Sequence, residues 1–334
     1  MKLSICIPTF NFGAFIADTL DSIVSQLLAD VEIVVLDGGS TDDTEGVVLR
    51  FANRYPAIRY IKQPHRGGID RDMARSVELA RGEYCWLFSS DDIMRPHALE
   101  RILAQIPSGY DIYLCGLTIC DAQMRVLGEH PVLDAPQGST FKLDDPTQRR
   151  RYFSLAITTT AFFSFMGSIV IRRDRWLAGR LDEHFVGSCW AHVVRILRLI
   201  PQGLSVKYLG QSLQLKRGGN DSFMDKGIAH RFAIAIDGYH RIARDVFGDD
   251  SYEAKQMRRV IVNEFPPKAF FSAKLQCIRA SRMDDVRLLD RLASNAYRDL
   301  TARNIARRIA HTALSVRAYE IARTVYRRIR GRRP

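Results

Sequence analysis

Short apolar runs and amphipathic stripes alternate along the first ninety residues. LSICIPTF, beginning at Leu3, has the pattern of a strand, and Phe15, Leu20, Ile23, Val24 and Leu27 then fall on one helical face. EIVVLD is an apolar strand ending in Asp37. The turn GGSTDDT follows, with Asp42 and Glu45 spaced as a capping-box pair for a helix through Val47, Val48 and Phe51. IRYIKQ predicts a third strand, Ile69, Met73, Val77 and Ala80 a third helix, and YCWLF a fourth strand. This alternation with short connections predicts a Rossmann-like α/β fold, a doubly wound and mostly parallel sheet covered on both faces.

In such sheets ligands bind beyond the carboxyl ends of the strands. The polar residues ending these strands are Thr9 and Asn11, Asp37, and then Ser89, Ser90, Asp91 and Asp92. Two adjacent carboxylates after a buried strand repel each other and are costly to desolvate, so a positive partner is expected. A dinucleotide site would need a G-x-G-x-x-G turn after the first strand, but PTFNFGAF holds one glycine. Asp91 or Asp92 holding Mg²⁺ or Mn²⁺ against substrate phosphates meets the same need with hard oxygen ligands.

Composition changes this picture little. Hydrophobic residues at 46% and charged residues at 26% are ordinary for a globular protein. Six cysteines are scattered without a CxxC pair, which argues for a reducing compartment and against a disulfide scaffold or a zinc site. Pro8 and Asn11 interrupt the N-terminal apolar run too early for a signal peptide. Residues 153–171 carry no charge, but their serines and threonines predict a buried helix leading into the strand GSIVI rather than a membrane span. The charge is uneven: residues 298–334 hold eleven arginines and two acids, +9 of the chain's +12.

SICIPTFN, VVLDGGSTDDT and ARGEYCWLFSSDD, in that order, resemble the leading motifs of family 2 glycosyltransferases of the GT-A fold. GGIDRD, YCWLFSSDD, GSIVIRRDRW and KRGGNDSF are similar to bacterial abequosyltransferase-like enzymes of O-antigen assembly. The resemblance implies a GT-A domain over 1–225, with a nucleotide-binding half (1–92) and an acceptor-binding half (93–225), and a helical region over 226–334. It implies sugar transfer from a nucleotide-diphosphate donor to an acceptor hydroxyl, with inversion as the family expectation. Pro8, Thr9 and Asn11 would then border the nucleotide, Asp37 the base or ribose, and Asp70 and Arg71 the donor sugar. Asp91, beside Ser90, would be the metal-binding aspartate of the D-x-D motif, with Asp92 a second contact or an anchor for a basic neighbour. Ser89 replaces the usual first aspartate.

In KRGGNDSF, Lys216 and Arg217 supply charge for the diphosphate, and Asn220 and Ser222 supply hydrogen bonds. A general base for the acceptor is expected from His192, Asp182 or Glu183, with Asp221 a further possibility. The final stretch places Ile305, Ile309, Leu314, Val316, Ile321 and Val325 among arginines, predicting cationic amphipathic helices that meet an anionic membrane surface. No nucleic-acid motif accompanies them, so nucleic acid is not an expected partner. The expected whole is a cytoplasmic enzyme, peripheral on the inner face of the membrane, acting on a lipid-linked glycan. A nucleotidyltransferase and a catalytically silent nucleotide-sugar-binding protein are the competing readings.

Overall fold

Seven consecutive buried residues, Leu3–Thr9, form β1, and seven more, Val31–Asp37, form β2. A run with no exposed position fits a strand covered on both faces, which helices packed on either side of a parallel sheet provide. This computed structural model describes residues 1–224, 226–299 and 301–310, together with Ala318, Ile321 and Thr324. In it β1, α1 (Ile16–Val24), β2, α2 (Thr44–Arg54), β3 (Ile58–Lys62), α3 (Ile69–Leu79) and β4 (Tyr84–Leu87) alternate as the pattern predicts. There follow β5 (Ile93–Met94), α4 (Ala98–Gln105), β6 (Ile112–Cys120), β7 (Val126–His130), β8 (Thr140–Lys142) and α5 (Pro146–Leu155). Then come β9 (Ile169–Arg172), α6 (Arg173–Ala178), α7 (Ala191–Leu197) and β10 (Ser205–Lys216). These elements form one compact unit, Met1–Asn220, and Asp221–Pro334 form a second.

The strands lie in the order β3-β2-β1-β4-β9-β6-β10-β5, with β7 on β6 and β8 on β10. β1 pairs in parallel with β2 and β4, and β6 with β10, while β9 runs antiparallel between β4 and β6. The chain moves outward from β1 to β3 and then returns to β4 on the other side of β1. That reversal opens a crevice at the carboxyl ends of β1 and β4. The register sets Thr9 beside Asp37 and Asp37 beside Lys62, so these residues share one edge.

Ile5, Ile7, Ile33, Val35, Trp86 and Phe88 fill the core under α1, whose Ile16, Leu20 and Ile23 are equally buried. Each such side chain contributes roughly 1.5–3 kcal/mol. At the opposite end of the strands Glu32 is 2% exposed. Burial alone would push its pKa up, but hydrogen bonds from Ser4, the Arg81 amide and Arg59 hold it below the usual glutamate value. That network ties β1, β2 and the turn before β4 together.

Two local expectations are corrected. Glu45 does not close a capping box. It pairs with Lys62 at 2.7 Å, and Asp42 instead accepts from the Thr44 amide and, across the turn, from the Gly13 amide. Residues 153–171 do not form a long buried helix. After α5, single 3-10 turns at Thr159–Phe162 and Met166–Ser168 lead into β9. Threonine and serine compete for backbone hydrogen bonds and lower helix propensity in such a stretch.

The second unit is helical: α8 (Ile228–Ile242), α9 (Tyr252–Glu264), α10 (Pro267–Arg279), α11 (Met283–Ala296) and α12 (Ala302–Ala310). Phe232 meets Phe265 at 4.9 Å and Phe270 at 5.4 Å between ring centroids, and the Tyr297 hydroxyl donates to the Phe265 carbonyl at 2.5 Å. Among the described residues no helix is long and apolar enough to cross a membrane. Leu314, Val316 and Val325 of the expected amphipathic tail lie outside the described residues.

Candidate active site

Phe88 continues β4 by donating to the Cys6 carbonyl, and the chain then turns through Ser89–Asp92 at the edge where β1 ends. The Ser89 hydroxyl donates to Asp91 Oδ1, and Asn220 Nδ2 donates to Oδ2 at 2.5 Å. Serine therefore does not replace the missing aspartate as a charge; it orients the aspartate that remains. Asp92 turns the other way and is 2% exposed. Its Oδ1 accepts from the Arg217 amide at 2.9 Å. Burial, and then the neighbouring charge of Asp91, push its pKa up to about 8. Asp91 is half-buried, whereas Asp92 anchors the backbone of the loop that carries Arg217.

The anchored partner is the loop after β10. Arg217 is 9% exposed; its Nε donates to the Asp91 carbonyl at 2.9 Å and its Nη2 to Asp18 at 2.8 Å, and its guanidinium lies 5.2 Å from the Phe15 ring centre. Lys216 Nζ lies 5.1 Å from the Phe165 ring centre. Arg217 is committed to holding the loop on the carboxylate pair, whereas Lys216 is half-buried. Ser222 and Asp221 belong to the second unit, where Asp221 pairs with Arg231 at 2.7 Å.

On the nucleotide side, Pro8 and Thr9 are buried at the end of β1, and Thr9 Oγ1 has no hydrogen-bond partner. Ser90 is also buried, beside Asp91. Asn11 accepts from the Thr41 amide at 2.8 Å, and its own amide donates to Ser40. Asp37 is wholly buried, with Oδ1 taking the Ser40 amide at 2.7 Å and Oδ2 the Tyr60 hydroxyl at 2.6 Å. Asp70 accepts backbone bonds from Gly187 at 2.8 Å, Cys189 at 3.0 Å and Ala191 at 3.1 Å, so it pins α3 to the loop before α7. Arg71 forms a fork with Glu183, at 3.1 and 2.5 Å.

The three expected bases have different surroundings. His192 is 4% exposed, its Nε2 lies 3.0 Å from the Phe163 carbonyl, and burial lowers its pKa although Asp70 opposes this. Asp182 accepts from the His184 amide and pairs with Arg198 at 2.6 Å; these contacts outweigh burial and lower its pKa. Glu183 is solvent-facing.

Asp72, 4% exposed on the first turn of α3, lies outside the motifs that single out the other carboxylates. A signal was present: with Ile69 and Met73 it falls on the apolar stripe, where a carboxylate is out of place.

Among the described residues no three His, Cys, Asp or Glu side chains gather as a metal cage. The oriented, half-buried Asp91 suits a cation of the Mg²⁺ class, which binds through one or two carboxylates and completes its shell with phosphate and water oxygens.

A doubly wound sheet with an oriented carboxylate at its switch point is the architecture of the GT-A glycosyltransferases. The fold matches that of S. aureus TarS 1–349, at 16% identity and a TM-score of 0.59 over 98% of this chain and 92% of that one. It also matches mannosyltransferase PcManGT from Pyrobaculum calidifontis, solved with GDP-Man and Mn²⁺, at 14% identity and a TM-score of 0.52 over 99% and 88%. The profile of glycosyl transferase family 2 matches residues 4–171. Abequosyltransferase RfbV of Salmonella typhimurium is 30% identical over 272 residues, 80% of this chain and 81% of the relative. The chain belongs to glycosyl transferase family 2 and is a glycosyltransferase.

Proposed function

We propose that the protein moves a sugar from a nucleotide-diphosphate donor to a hydroxyl of a lipid-linked glycan in bacterial surface polysaccharide or O-antigen synthesis, by a single inverting displacement. The abequosyltransferase relative supports the pathway, and the complexes of TarS with UDP-GlcNAc and of PcManGT with GDP-Man and Mn²⁺ support the donor class. We assign the catalytic domain to 1–225, divided at residue 92, and a helical region to 226–334.

The observation that carries the proposal is Asp91, oriented by Ser89 and Asn220 at the switch point of the sheet. Asp91 would hold Mn²⁺ or Mg²⁺, which when bound offsets the charge growing on the departing diphosphate. Lys216 adds positive charge there, and Arg217 keeps the loop in place. Thr9 and Asn11 border the nucleoside. Of the three candidate bases, Glu183 is the one that is neither buried nor held by a backbone cap, and it takes the acceptor proton. Arg71, its fork partner, orients it.

Calorimetric titration with nucleoside diphosphates, with and without Mn²⁺, tests the donor site beside Asp91→Ala. Metal-dependent binding that the variant loses is expected, and metal-independent binding unchanged in the variant would sink the assignment. NMR assignment of the product's anomeric configuration tests inversion. We further propose that the protein is cytoplasmic and that residues 298–334 dock it on the inner face of the membrane. Cosedimentation with anionic but not neutral vesicles, reversed by salt, is the expected behaviour.

A further inference from the structure

We propose that Phe165 is a positioning residue for Lys216, and that His192 in turn holds the segment carrying Phe165. The inference rests on the nucleotide-donor reading above, in which Lys216 faces the diphosphate, and adds what aims it there.

Residues 159–168 form only single 3-10 turns, so side chains from other elements satisfy several of their carbonyls. The Tyr152 hydroxyl of α5 donates to the Ala161 carbonyl at 2.5 Å, and Trp86 Nε1 of β4 to the Gly167 carbonyl at 2.7 Å. Between them, His192 Nε2 on the first turn of α7 lies 3.0 Å from the Phe163 carbonyl. A carbonyl only accepts, so Nε2 carries the proton and donates. The bond secures a strained turn, because Phe163 has φ 66°, in the left-handed region that a side chain disfavours. Of residues 160–171, Ser164, Phe165 and Met166 are half-buried and the rest are buried. The fastened segment thus presents a three-residue tip.

The Phe165 ring on that tip meets Lys216, whose Nζ lies 5.1 Å from the ring centre. Arg217, next along the chain, is bound to Asp92 and to the Asp91 carbonyl, so the backbone beside Lys216 is fixed and its side chain remains to be aimed. A free lysine side chain loses rotamer freedom when it grips a phosphate. Resting on a ring restricts it beforehand. The ammonium has three donors; the ring face engages one side of it and leaves the rest for phosphate oxygens. A contact of this kind is worth about two- to fivefold in affinity.

The test is calorimetric titration of the full chain at fixed Mn²⁺ with CDP, GDP, ADP, UDP and dTDP, and then with the monophosphate of whichever binds. Phe165→Leu is expected to weaken the diphosphate by about two- to fivefold and the monophosphate less, while Phe165→Tyr, which keeps the ring, matches the wild type. In a Lys216→Met background the Phe165→Leu loss should vanish, since the ring acts through that ammonium. His192→Gln, whose amide can still donate to the Phe163 carbonyl, is expected to keep diphosphate affinity, and His192→Leu to lose it as Phe165→Leu does. Unchanged or tighter diphosphate binding in Phe165→Leu would overturn the proposal, as would equal loss of both nucleotides or a loss that persists without Lys216. A loss in His192→Gln as large as in His192→Leu would overturn the part given to His192. If no nucleotide binds, the donor reading fails and this inference with it; if nucleotides bind and Phe165→Leu changes nothing, only this inference fails. Should His192→Leu not fold, the Phe165 variants and His192→Gln decide.

Discussion

Asp91 and Asp92 are neighbours with opposite fates, and the cause is which way each side chain points. Asp91 keeps solvent contact and is aimed by Ser89 and Asn220, while Asp92 is buried against the Arg217 amide and its pKa is pushed up to about 8. The same contrast separates the candidate bases. His192 and Asp182 are committed to Phe163, Arg198 and the His184 amide, and Glu183 faces solvent. Glu183→Gln is therefore expected to lower kcat by roughly a hundredfold or more with donor affinity retained. Asp182→Asn should instead lower stability with a smaller effect on kcat. Single-turnover kinetics beside thermal melts checks both, and a Glu183→Gln enzyme with near wild-type kcat would return the role to the other two. The strand-end position of the carboxylates was legible in the sequence. Their separate roles were not, because partners more than a hundred residues away, Arg217 and Asn220, decide them.

At the scale of elements, Asp70 acts as a fastener. Its carboxylate takes the amides of Gly187, Cys189 and Ala191, tying the first turn of α3 to the entry of α7. Removing it leaves one buried and two part-buried amides without that partner, so Asp70→Ala is expected to cost about 2–3 kcal/mol in chemical denaturation. It should also free the loop that carries Glu183, and hydrogen exchange at 183–191 would register that loosening. An unchanged denaturation midpoint would argue against the fastening role. The strands and first helices were readable because burial periodicity is a local property. The cap of α2 and the fate of residues 153–171 were not, because Lys62 draws Glu45 away and tertiary packing accepts 3-10 turns where a helix was expected.

For the whole molecule, the helical unit carries its own pH response. His240 is 7% exposed, neither ring nitrogen has a partner, and burial, followed by Arg298 and Arg258, lowers its pKa to about 4. An unfolded chain binds that proton near pH 6.5, so between about pH 6.5 and 4 the unfolded state takes up more protons than the folded one. The stability that neutral His240 contributes is thus full above pH 6.5 and lost as pH falls towards 4, by up to about 3 kcal/mol. Melting curves over that range should show the wild type losing stability relative to His240→Leu as pH falls; parallel profiles would refute the assignment.

What the sequence determined by itself was whatever depends on neighbours along the chain. The buried runs of β1, β2 and β4, the stripe of α3, the alternation that makes a doubly wound sheet and the polar residues at its strand ends are all properties of short windows. The order in which the strands pair, the reversal at β1 that opens the crevice, and the choice among similar carboxylates were decided only by the folded structure. Whether a carboxylate is left open to solvent or held as an anchor depends on which amides and charges surround it, and for Asp91 and Asp92 those groups follow β10, more than a hundred residues along the chain.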